Sequence, residues 1–136
     1  MANVIIYTNA QGGVSVCVPT GDIPIEQVQA KDIPAGVQSF IVDGDTLPND
    51  DNDFFNAWEH IDGVVTVNFN KAKLLTKDRL RYERTALLET QDVAFQRALE
   101  SGADTAAIVA EKQRLRDLPL LADNCATLAE LRALSP

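Results

Sequence analysis

Apolar residues recur along this chain with two different periods, and the change falls near residue 70. Before it, short β-branched runs alternate with polar positions and are separated by Gly, Pro, Asn and Asp, the pattern of strands and turns. After it comes the longest helix-forming run in the chain. Asn70 is a plausible N-cap, residues 71–101 predict one helix, and Gly102 stands where a C-cap glycine would end it. At about 1.5 Å per residue this helix would be roughly 45 Å long. Leu74, Leu80, Leu87, Leu88, Phe95, Ala98 and Leu99 mostly follow steps of three, four and seven, so they form a stripe that needs covering. Asp104 or Thr105 then caps a second helix carrying Ile108, Val109, Leu115 and Leu118, which stops at Pro119. It is less than half as long as the first. The expectation is a helical hairpin whose long arm also rests on the N-terminal module or on a partner.

In the N-terminal part, residues 2–8 read as a strand, Asn9-Ala10-Gln11-Gly12-Gly13 as a turn, and VSVCVP as the returning strand with Val14, Val16 and Val18 on one face. Gly12 and Gly13 lack the surrounding residues of a phosphate loop. A short helix is expected over 24–33, with Pro24 in its first turn and Ile25, Val28 and Ile33 buried. Residues 37–43 form a nearly continuous apolar run, which predicts a central strand. DFFNAWEHI reads as a helix with an acidic first turn, burying Phe54 and Trp58. Asp62-Gly63 marks a tight turn before a fourth strand over 63–69. The class expected is α+β: a small, mostly antiparallel sheet with two short helices, then an extended helical hairpin and a short C-terminal helix. The corresponding divisions are an acidic head over 1–69, a hairpin arm over 70–119 and a tail over 120–136.

Charge sharpens this division. Residues 1–70 hold ten acidic side chains and one basic, Lys31, whereas residues 71–117 hold ten basic and eight acidic. An acidic head on a mildly basic arm argues against nucleic acid, which needs a concentrated cationic surface, and suits a protein partner. Lys73, Lys77 and Arg81 share one helix face; that face is either solvated or docked on an acidic surface of the head or of a partner. With 46% apolar residues and no run of about 18 of them, the chain predicts a modest core and no membrane span. No secretory leader is legible, so a cytoplasm is the expected compartment.

Chemistry is sparse. Cys17 and Cys125 form no metal-ligand spacing and read as free thiols. Asp43 and Asp45 would suit the first places of a calcium loop, but Pro48 and Phe54 occupy the glycine and glutamate places. His60, the only histidine, has no diagnostic neighbours. No catalytic residue, cofactor or metal is expected. Thr127 and Glu130 have capping-box spacing ahead of Leu128, Leu131 and Leu134. A helix this short must dock, on its own chain or in a partner's groove.

Three stretches, IIYTNAQGGVSV with KDIPAGVQSFIVD and FFNAWE, DRLRYERTALLETQDVAFQRALE, and AAIVAEKQRLRDLP, together resemble small bacteriophage proteins encoded next to tail-fibre genes, the tail-fibre assembly or tail-assembly-chaperone group. The resemblance covers most of the chain and is strongest at 78–88, 92–99 and 115–119. It implies a non-enzymatic protein that binds a tail-fibre or other tail protein through its helical arm in the bacterial host cytoplasm. The alternatives are a permanent component of the virion tail, present in several copies around a symmetric axis, and an enzyme. Candidate partner-binding residues are Leu80, Arg81, Arg84, Leu87, Leu88, Phe95, Leu128, Leu131 and Leu134.

Overall fold

A computed structural model describes residues 2–136. Its elements are β1 (Asn3–Thr8), β2 (Val14–Cys17), α1 (Ile25–Asp32), β3 (Ser39–Asp43), β4 (Trp58–Ile61), β5 (Val64–Val67), α2 (Phe69–Ser101), α3 (Ala106–Asp117) and α4 (Leu128–Ala133), with 3-10 segments at Gly44–Thr46, Asn49–Ala57 and Leu118–Asn124. Helix takes 58% of the chain and strand 17%. The strands precede the long helices and pair antiparallel, so the class is α+β. The chain divides into two compact units, Met1–Ala72 and Lys73–Pro136.

In the first unit, β1 lies between β2 and β3. The β1–β2 turn is held by Asn9, whose Oδ1 accepts from the amides of Gln11 at 3.1 Å and Gly13 at 3.0 Å, while Gly12 takes a φ of +83°. Register places Val4 opposite Val42, and Ile6 opposite both Val16 and Phe40. Those side chains share one face, and with Val14 they pack on Trp58 and Val65. Ile5 projects to the other face, where α1 supplies the buried Val28, and the Gln29 amide donates to Ser39 Oγ at 2.9 Å. The sheet is thus covered by α1 on one side and by β4, β5 and the 3-10 segment before them on the other.

Three expectations change here. β1, not β3, is the central strand: its Val4, Ile5 and Ile6 are all buried, whereas Phe40, Ile41 and Val42 are half-buried at an edge. Both runs are apolar, and only the pairing distinguishes them. The helix expected over DFFNAWEHI is absent beyond Ala57, and even before it the backbone leaves helical geometry at Asp51 and Phe54. Trp58–Ile61 instead pairs with Val64–Val67, with Ile61 opposite Val64. The cause is the turn: Asp62 at φ +50° and Gly63 at φ +87° fit a two-residue hairpin whose twist matches antiparallel strands. Trp58 remains a core residue, fully buried with its Nε1 donating to the Asp51 carbonyl at 3.3 Å. Finally, the cap of α2 is Asn68 rather than Asn70; its Oδ1 accepts from the Lys71 amide at 3.0 Å.

Candidate functional site

The second unit is built on α2. Its end at Gly102 is a paired-hydrogen-bond cap: Gly102, at φ +70°, donates to Leu99 O at 3.3 Å, and Ala103 donates to Ala98 O at 2.9 Å. The chain turns there and α3 returns along α2. Lys112 bridges to Asp92 at 2.8 Å and lies 4.9 Å from the Phe95 ring centroid, whereas Arg84 donates to the carbonyls of Leu115 at 3.1 Å and Arg116 at 2.7 Å. These pairings run in opposite directions along the two helices, so they are antiparallel.

Arg84 thereby closes the carboxyl end of α3, where backbone carbonyls lack partners within the helix. Arg79 serves α4 the same way, donating to Leu131 O at 3.1 Å and Leu134 O at 3.0 Å while pairing with Glu83 at 2.9 Å. Between them, Lys77 meets Asp123 at 2.7 Å. The hydrogen bond from Lys77 holds the Asp123 carboxyl below its ordinary value of 3.8 against the opposing effect of desolvation, and Lys73 adds to the positive field. The face shared by Lys73 and Lys77 therefore meets an acid of its own unit. Burial, with the Glu130 charge, pushes the nearby Cys125 thiol up. At the outer face of α3, Glu111 is lowered by its hydrogen bond to Arg114.

In the first half of α2 the returning tail covers the face of Thr76 and Leu80, whereas Leu74, the first residue of the expected stripe, is 60% exposed. Thr76, Leu80, Leu115, Leu118, Ala122 and Leu131 are buried, so the chain's own 3-10 segment and α4 supply cover that α3 is too short to give. The capping box at α4 forms as its spacing predicts: Thr127 Oγ1 accepts from the Glu130 amide at 3.2 Å, and the Glu130 carboxylate accepts from the Ala126 amide at 3.3 Å.

Beyond Leu80 the situation reverses. Among the described residues from 81 to 114, Ala98 alone is buried. Leu87, Val93 and Leu99 on α2 and Val109 on α3 are 43%, 50%, 57% and 48% exposed.

The candidate partner residues accordingly separate. Leu80 and Leu131 are enclosed in the core, and Arg84 is spent on α3. Leu88, Phe95, Leu128 and Leu134 are half-buried. Leu87 and Arg81 face outward, the latter paired with Asp78 at 2.9 Å. Val93 and Val109 were not among the candidates. Val93 lies off the stripe defined by Leu80 and Leu87, so helical periodicity alone gave no reason to choose it.

Elsewhere, His60 on β4 sets its Nε2 3.0 Å from Thr8 Oγ1 and its ring edge-on to Phe40, and its buried Nδ1 has no partner. The ring lacks the acceptor that orients the base of a nucleophilic triad. Among the described residues, no group of three His, Cys, Asp or Glu side chains is placed to hold a metal ion, and no helix is long and apolar enough to cross a membrane. No family model matches the chain, and neither a search of curated proteins nor one of solved structures returns a match.

Proposed function

We propose that this protein is a binding protein that works through its helical unit, and that its partner is a bacteriophage tail-fibre or other tail component whose assembly it assists. The observation that carries the reading is the outer half of the α2–α3 hairpin, where Leu87, Val93, Leu99 and Val109 stay in water although the inner half closes a core. Two helices packed only on each other leave apolar flanks, and a third surface removes those flanks from water. Specific complexes bury about 800 Å² on each partner. The choice of a tail protein rests on the resemblance carried by residues 78–88, 92–99 and 115–119.

Co-expression with the tail-fibre protein of the same phage tests it. Soluble, trimeric fibre should rise with the wild-type protein and not with the Leu87→Asp/Val93→Asp variant, whose circular dichroism should match wild type because both side chains are exposed. Unchanged fibre yield with the wild-type protein, or full activity of that variant, refutes the proposal. A stoichiometric 14.8 kDa band in purified particles would instead identify a lasting tail component.

A further inference from the structure

We propose that the first unit carries a second docking site, a groove beside β3 that takes an extended, cationic segment of a partner protein as an added strand. β3 pairs with β1 on one side, and among the described residues no strand pairs with its other side. An unpaired edge offers a row of backbone donors and acceptors, and proteins usually guard such edges with Lys, Pro or a covering element. Ser39-Phe40-Ile41-Val42-Asp43 contains neither residue. Side chains reach its two ends, Gln29 Nε2 donating to Ser39 and Thr46 Oγ1 donating to Asp43 O at 2.6 Å, and neither reaches Ile41 in the middle.

The edge opens into a groove of about 400 Å³ between β3 and the β4–β5 hairpin. Phe40, Val42, Val64 and Val65 give it an apolar lining, and Asp43 and Asp62 contribute carboxylates to it. Val64 is 67% exposed at the start of β5. A strand laid along five residues would span about 17 Å and point alternate side chains into the groove and out to solvent.

Charge selects the occupant. Residues 1–72 hold ten acidic side chains against Lys31 and Lys71, and Lys71 is engaged by Gly12 O at 3.5 Å and Glu59 at 3.9 Å. An anionic unit with an apolar groove at an open strand edge attracts a segment alternating basic and apolar residues, and repels nucleic acid and acidic peptides. This site is independent of the helical unit, so the failure of either proposal leaves the other standing.

The test uses the full chain and a fluorescein-labelled hexapeptide of alternating Lys and Val, with two controls: Glu replacing Lys, and a central Pro. The expected result is saturable, salt-sensitive binding of the first peptide, slowed exchange of the Ile41 amide, which faces the open edge while those of Phe40 and Val42 face β1, and affinity reduced about tenfold or more by Asp43→Asn/Asp62→Asn. Asparagine keeps the cap that Asp43 gives the Asp45 amide and tolerates the positive φ at position 62, so that variant should fold. Val64→Lys, at an exposed site, should weaken binding as well. Equal binding of the Pro peptide, an unaltered affinity in the double variant, or protection confined to other elements overturns the proposal. So does a concentration-dependent dimer with the Ile41 amide protected before peptide is added, because the edge would then belong to a second copy.

Discussion

Replacing Arg84 by Met removes a guanidinium while keeping a long apolar stem, and so isolates what the two donated hydrogen bonds do. The bond to Leu115 O, 3.1 Å, is partly buried, and that to Arg116 O, 2.7 Å, is exposed. A hydrogen bond from a charged donor contributes about 1.5–3 kcal/mol when shielded; the solvated one is replaced by water at a cost of about 0.5 kcal/mol. A cation at a helix carboxyl end adds roughly 0.5 kcal/mol. The expected loss is about 2.5–4 kcal/mol, read from urea denaturation followed at 222 nm, with the same m-value as wild type. Arg84→Lys keeps the charge but supplies a point donor in place of a fork, so it should lie about midway. A loss below about 0.5 kcal/mol for Arg84→Met, the range of a neutral surface substitution, would refute the view that this side chain closes α3.

Gly63→Ala should destabilise by about 1–3 kcal/mol, because the glycine has φ +87° and an added Cβ would sit 3.3 Å from Phe40; thermal melting checks it, and an unchanged Tm would mean the hairpin turn relaxes freely. Leu80→Ala, at a fully buried site, should cost about 2–5 kcal/mol, whereas Leu87→Ala, half in water, should cost under about 1 kcal/mol; equal losses in denaturant titrations would contradict the core boundary drawn at Leu80. Asp123 is lowered in the folded chain, so its contribution is complete above its ordinary value of 3.8 and is lost as pH falls below that through the folded value. Wild type minus Asp123→Asn stability should therefore shrink on acidification below about pH 4, and a difference that grows instead would reverse the assignment.

The helical half was largely legible in the sequence because its signals are local: a three-to-four periodicity, a glycine at position 102, and the Thr127–Glu130 spacing each act within one or two turns. The β4 strand was obscured because Phe54, Phe55, Trp58 and Ile61 also fit a helical period. The signal that favoured a strand was present in Asp62-Gly63, since a two-residue hairpin turn with a strand after it requires another before it. The roles of Arg79 and Arg84 had no local signature. They depend on carbonyls 52 and 31 residues away along the chain, and a basic residue on a helix carries no mark of which distant helix end it will meet. The exposed character of Val93 and Val109 was equally hidden, because only folding decides which apolar positions the returning tail reaches.

The cover over Leu80 comes from residues 115–131, all translated after α2. During synthesis the long helix therefore leaves the ribosome with its leucines bare, while the preceding strands already have their partners and are free to fold. Nascent α2 has a period in which chaperones, or a partner made nearby, meet the surface around Leu80 that the finished molecule conceals.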